Sequence, residues 1–418
     1  MNDSSQTVSS ALVKALVKEQ PLQARAMSGI APPAASDRVV DLICFSHLRW
    51  NFVYQRPQHL LSRAARQWRV WYIEEPIWGD AEIPSLSIQR VSYQLTVVVP
   101  RLPHGTSPEQ AIEFQRALID QLLDEQHIQR YALWYYTPMA LSFSDHLQPQ
   151  LTVYDCMDEL SAFLGAPNSL IEQERQLMNR ADVVFTGGYS LYEAKQKRHP
   201  QVYAFPSCID YNHFVKARKV LPTGTDLHSD ALADPADQVA IAGPRIGYSG
   251  VIDERLNLSL IADLAAQRPD WQFIFLGPVV KINPHDLPKG PNLHYLGMKS
   301  YQELPAYFSH WQVAMMPFAI NEATRYISPT KTPEYLAAGL PVVSTPVRDV
   351  LRTYGGWERV IISDSVSAFQ SGISLALCNP QSLASDRSQL DHFLREQSWD
   401  NTWQQMQRIL IGQFAATV

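Results

Sequence analysis

Apolar residues in this chain fall into short, β-branched runs separated by stretches of helical spacing. VVDLICFS (39–46) is almost wholly apolar and ends in a polar turn, the pattern of a buried parallel strand. Pro57 then suits the first turn of a helix, with Leu60, Leu61, Ala64, Ala65 and Trp68 recurring on one face. The rhythm repeats through strands at 70–75, 95–100, 131–136, 151–156, 182–187 and 202–207, with helices expected over 108–126, 168–180 and 189–198. Strands alternating with helices predict βαβ units and a parallel sheet. A second series follows, with strands at 245–252, 271–277, 292–297, 313–318, 341–346 and 360–364. Its helices are expected over 257–267, 301–309, 333–338, 367–377 and about 386–412.

The rhythm fails twice. Residues 1–36 are rich in Ser, Ala, Gln and Pro and read as a mobile tail, or as a partner-binding helix near 11–19. Residues 213–240 are read as a linker or surface excursion, polar from 217 and acidic from 226. Between these breaks stand two Rossmann-like α/β domains, at 37–212 and 241–395, and 396–418 follows as a terminal helix. The expected class is α/β, with two parallel sheets facing across one cleft. In open parallel sheets, ligands bind beyond the C-terminal strand ends.

Composition narrows the function. The 418 residues are 46% hydrophobic and 18% charged, with 35 basic and 41 acidic side chains and a net charge of −6. That balance argues against a general nucleic-acid binder. No apolar run approaches the roughly 18–20 residues that span a bilayer, and no secretory leader is visible at the N-terminus. Cys44, Cys156, Cys208 and Cys378 form no CxxC pair and read as reduced thiols of a cytoplasmic protein.

The segment NEATRYISPTKTPEYLAAGLPVVSTP (321–346) carries the most chemistry. Thr332 is placed as N-cap and Pro333 as first helical residue, with Gly339 and Pro341 ending the helix. Lys331, with Ser328 and Thr330 upstream, suits a phosphate or diphosphate. Glu334 would repel phosphate but accepts hydrogen bonds from sugar hydroxyls, so a ribose beside a diphosphate accommodates both. An ordinary capped helix with a solvated lysine is the alternative.

This segment resembles the nucleotide-sugar site of GT-B glycosyltransferases, in the family 1/family 4 group that includes bacterial envelope and exopolysaccharide enzymes. Glu334 leads a Tyr-Leu-Ala-Ala-Gly339-Leu-Pro341-Val-Val run like theirs. RIGYSGVIDERLN (245–257) resembles their donor-domain phosphate loop, and the stretches 273–318, 186–195, 205–214 and 45–65 are similar to further parts of the fold. The resemblance implies that 37–212 is the acceptor domain and 241–395 the nucleotide-sugar domain, with 396–418 crossing back to the first. It also implies that Glu334 binds the donor ribose, that Ser328, Thr330 and Lys331 hold the diphosphate, and that Arg255 adds a second positive charge; Gly250 keeps the loop close to a ligand or simply makes a turn. A salt bridge of Arg255 with Asp253 or Glu254 is the plain alternative. One departure stands out. The retaining enzymes carry two glutamates eight positions apart, and the residue eight before Glu334 is Tyr326. The stereochemical outcome therefore stays open.

An inverting transfer needs a group to take the acceptor proton. YDCMDEL (154–160) sets Asp158 just past a strand end, and His47 follows the first strand. Asp158 is the favoured catalytic base and His47 the second candidate, with a turn cap and a structural histidine as the plain alternatives. Leu42 to Ile73 holds five arginines and no acid, with Trp50, Phe52, Tyr54, Trp68 and Trp71 interleaved. Arg49, Arg56, Arg63 and Arg66 are accordingly expected on a basic aromatic face toward an acceptor or a membrane. The combined expectation is a metal-independent glycosyltransferase without a cofactor. It would move a sugar from a UDP- or GDP-sugar to a glycan or lipid-linked acceptor, at the inner face of the plasma membrane. A UDP-sugar 2-epimerase and a degenerate binding subunit are the rivals.

Overall fold

The computed structural model describes residues 41–80, 82–218, 232–378 and 387–416. The expected tail at 1–36 and the middle of the expected linker, 219–231, lie outside them.

The first domain is a nine-stranded sheet. Its strands are β1 (Asp41–Ser46), β2 (Arg69–Glu74), β3 (Ile77–Gly79), β4 (Ser85–Ser92), β5 (Leu95–Pro103), β6 (Tyr131–Tyr135), β7 (Leu151–Cys156), β8 (Val183–Thr186) and β9 (Val202–Ala204). They run in the order β3-β5-β2-β1-β6-β7-β8-β9, with β4 pairing β5 antiparallel and every other pairing parallel. Strand β1 is buried along its whole length, as a central strand covered on both faces must be. β3 and β4 have no counterpart in the expected elements. The exposed pattern of β4, SLSIQRVS, shows why: an edge strand facing water carries no apolar run.

The second domain is a six-stranded parallel sheet in the order β12-β11-β10-β13-β14-β15. These are β10 (Arg245–Ser249), β11 (Gln272–Leu276), β12 (Leu293–Tyr295), β13 (Val313–Met316), β14 (Val342–Ser344) and β15 (Val360–Ile362). The strand order reverses between β10 and β13, which opens a crevice at the C-terminal strand ends.

The expected linker proves only partly a linker. Its Phe214 and Ala217 are buried in the second domain's core, together with Tyr211 just before it. On the far side of the undescribed stretch, Asp234 pairs with Arg245 at 2.6 Å and Gln238 accepts from the Trp311 indole at 2.8 Å. The last helix, Trp399–Ala416, belongs to the other domain: Trp399, Trp403, Met406 and Leu410 sit in the first domain's core beside Trp68 and Trp134. The chain thus crosses between domains twice, once outward and once back.

Candidate active site

The C-terminal strand ends of the two sheets enclose a cavity of about 130 Å³. From the second domain it is lined by Gly250, Arg255, Ser328, Thr330 and Lys331, and from the first by Arg56 and Asp158. A smaller cavity of about 30 Å³ shares Val53, Tyr54, Gly250 and Lys331 with it and continues toward Met298 and Tyr301.

Each second-domain group is held by its neighbours. Gly250 follows β10 and donates to the Leu276 carbonyl at 2.8 Å. A Cβ on Gly277 would lie 1.8 Å from the Gly250 carbonyl, so the two loops touch only because residue 277 has no side chain. Arg255 pairs with the buried Asp253 through Nε and Nη2, at 2.7–3.0 Å. It also lies over the Phe163 ring of the first domain, 5.5 Å from its centroid. Lys331 donates to Glu334 at 2.8 Å, and both side chains are largely buried. Burial raises the Glu334 pKa and Lys331 pulls it down. The ammonium and the carboxylate expected to bind diphosphate and ribose are therefore paired with each other here.

The helix after Ser328 starts earlier than the sequence suggested. It spans Lys331–Ala337, with Thr330 in the cap position and no side-chain cap bond. Thr332 is not the N-cap: it is fully buried inside the first turn, and its hydroxyl finds no partner. Pro333 permits this because a proline anywhere in the first turn costs no hydrogen bond. Ser328 is drawn to the first domain, its carbonyl accepting from the Ser207 hydroxyl at 2.6 Å.

On the first-domain side, Asp158 is half-buried at the cavity wall. Burial pushes its pKa up to about 6, against the pull of Arg255 and Lys281. His47 follows β1, and burial together with the charge of Lys281 lowers it to about 4, opposed by a backbone hydrogen bond at Tyr136. Its Nδ1 is buried without a partner. A carboxyl near 6 is the better matched base at neutral pH, because an imidazole near 4 is a weak proton acceptor. Lys281 carried no signal in the sequence, since the residues it meets, Glu254 and Phe163, are distant along the chain. Tyr326 packs against the first domain's core cluster that contains Cys156.

The expected basic aromatic face is not assembled. Trp50, Trp68 and Trp71 are buried, at 8%, 8% and 4% exposure. Arg56 is buried too: it grips the fully buried Asp155 through Nε and Nη2 at 2.7–3.0 Å and donates to the Phe205 carbonyl at 2.7 Å. It forms the floor of the cleft instead of an outer face. Arg49 pairs with Glu74 at 2.9 Å, while Arg63 and Arg66 hold Asp400 of the terminal helix at 2.8 and 2.9 Å. A run without acids in sequence acquires its acids in space. Among the described residues no group of three or more His, Cys, Asp or Glu is placed to hold a metal ion. Nor is any helix among them long and apolar enough to cross a membrane.

Comparison with known proteins follows the same lines. A family model described as "Glycosyl transferases group 1" matches residues 244–379, most of the second domain. TuaH of Bacillus subtilis (strain 168), which carries the name of a teichuronic acid biosynthesis glycosyltransferase, is 26% identical over 253 residues, 56% of this chain and 61% of its own. The chain thus spans about three fifths of that curated relative. Sucrose-phosphate synthase from Thermosynechococcus elongatus superposes with a TM-score of 0.60 at 15% identity, over 90% of this chain and all of that one. HepE of Anabaena in complex with UDP gives 0.59 at 13% identity, over 90% and 100% of the two chains. A structure described as trehalose-6-phosphate from E. coli bound with UDP-2-fluoro glucose gives 0.64 at 10%, over 88% and 98%. With two Rossmann-like domains, a cleft between them and a helix that crosses back, this chain has the GT-B fold, and its residues 244–379 are similar to the group 1 glycosyl transferases.

Proposed function

We propose that the protein is a glycosyltransferase taking its sugar from a nucleotide-diphosphate donor. The supporting observation is the convergence of Arg255, Ser328, Thr330 and Lys331 with Asp158 on one interdomain cavity. Expulsion of a nucleoside diphosphate builds negative charge on the leaving group, and two cations beside two hydroxyls are suited to stabilise it. Glu334, already beside Lys331, is suited to the ribose hydroxyls. Asp158 faces this group from the other domain and would take the acceptor proton, with His47 as its alternative. No metal or cofactor enters this scheme. The acceptor is a glycan or lipid-linked glycan of the cell envelope, a reading supported by the teichuronic acid biosynthesis named for TuaH.

The test is a binding and product assay with UDP, GDP and their sugars. Lys331→Ala should weaken nucleotide-diphosphate binding by roughly 1.5–3 kcal/mol, as for loss of a charge-assisted bond. Unchanged affinity would remove Lys331 from the donor site. A new sugar isomer formed from the donor without acceptor would point to an epimerase instead. Tyr326, standing where a glutamate is usual, favours a second reading as a binding subunit. Tight donor binding with no turnover over a broad acceptor panel would establish that reading.

A further inference from the structure

The loops after β10 and β11 are zipped together. Ile252 donates to the Pro278 carbonyl at 2.9 Å and Val280 donates to the Ile252 carbonyl at 3.0 Å. The zip ends at Lys281, whose φ of 61° is in the left-handed region that side-chain-bearing residues seldom adopt. Strain of this kind gathers where a side chain must be aimed. Here the Lys281 ammonium reaches 4.3 Å from the centre of the Phe163 ring, on the first domain.

Beside it is Glu254. Its Oε1 lies 3.7 Å from Lys281 Nζ, too far for a hydrogen bond. Both Glu254 carboxylate oxygens are enclosed, and neither accepts a hydrogen bond. The adjacent Arg255 offers no relief, because its Nε and Nη2 are committed to Asp253. An enclosed carboxylate without donors is costly and asks for a partner. The charge of Lys281 also acts on Asp158 and His47 across the cleft.

We propose that Glu254 and Lys281 recognise the glycosyl unit of the donor: Glu254 accepts hydrogen bonds from its ring hydroxyls and Lys281 donates to one of them. A carboxylate takes two hydroxyl protons at once, an ammonium supplies up to three donors, and the Phe163 ring offers an apolar wall for the sugar's C–H face. In this division Arg255 and Lys331 hold the nucleotide, and the pair holds the group to be transferred. This inference rests on the nucleotide-sugar reading above, and its test separates the two.

Affinities for UDP, GDP, UDP-glucose, UDP-glucuronate and GDP-mannose are measured by calorimetry for wild type, Glu254→Gln, Lys281→Met and Lys281→Arg. Wild type should bind one sugar nucleotide more tightly than its parent nucleotide. Glu254→Gln and Lys281→Met should each reduce that surplus by roughly tenfold to a hundredfold, as for loss of a charged hydrogen bond, while leaving UDP and GDP affinity within about twofold. Lys281→Arg should restore part of it. A surplus that survives in both variants overturns the proposal, as does its absence from wild type for every sugar tested. Failure of wild type to bind any nucleotide would instead remove the donor reading itself.

Discussion

At the scale of single residues, Asp158 bears the most testable chemistry. Its carboxyl is raised to about 6, so it is ionised and able to accept a proton only above that pH. Turnover should therefore rise with pH through about 6 and level off beyond it. Asp158→Asn keeps the shape and should cost roughly 100- to 10,000-fold in turnover while sparing donor affinity. The sign for stability runs the other way. The folded group titrates near 6 and the unfolded one near 3.8. Between those values the native state holds the extra proton, so stability falls as pH rises through the window. Asp158→Asn should thus raise the melting temperature at pH 7.5 and leave it unchanged below pH 4. Near-normal turnover, or a product that keeps the donor's anomeric configuration, would return Asp158 to the role of a loop residue.

At the scale of elements, the terminal helix Trp399–Ala416 decides whether the first domain is complete. Trp403 packs edge-on to Trp68, with centroids 5.5 Å apart, and lies 6.3 Å from Trp134. Arg63 and Arg66 anchor the same helix through Asp400. Trp403→Ala should destabilise the first domain by about 3–5 kcal/mol, measured by denaturant unfolding followed through tryptophan fluorescence. The second domain, whose core contains none of these side chains, should keep its own transition. A loss below about 1 kcal/mol would mean that the helix is only draped over a core already closed.

At the scale of the molecule, the two domains are drawn together by specific bonds. Asp349 of the second domain is buried and accepts from both the backbone N–H and the hydroxyl of Ser190, at 3.1 and 2.5 Å. Gly188 admits it: a Cβ there would meet Asp349 Oδ2 at 2.4 Å. Glu193 joins Arg348 and Arg352 at 2.6 and 2.7 Å, and Tyr54 stacks on Tyr301 with centroids 4.7 Å apart. The cavity's 130 Å³ is well below the roughly 300–1,000 Å³ of ordinary ligand pockets. Parting of the domains would widen this partly open cleft for a sugar nucleotide. Asp349→Ala should enlarge the radius of gyration of the unliganded protein in small-angle scattering, and saturating donor should shrink it again. Identical scattering from variant and wild type would assign the closure to the other contacts.

What the sequence determined by itself is what depends on neighbours along the chain. Strand β1 is legible in VVDLICFS, and the strands of both sheets other than β3 and β4 follow from similar runs, because burial on both faces demands continuous apolar stretches. The Lys331–Glu334 segment is legible because its prolines, glycine and charges stand within a few residues of each other. Edge strand β4 was not legible, since half-exposed residues leave no apolar signature. Tertiary structure alone decided the rest. Arg56 reads as a surface cation until Asp155, 99 residues away, neutralises it inside the domain. Arg63 and Arg66 read as a membrane face until Asp400 arrives from the end of the chain. Lys281 and Glu254 read as ordinary loop charges until folding leaves one carboxylate without donors and aims the ammonium across the cleft. Charge pairing and desolvation are set by distances in space, and linear spacing beyond one or two helical turns carries no information about them.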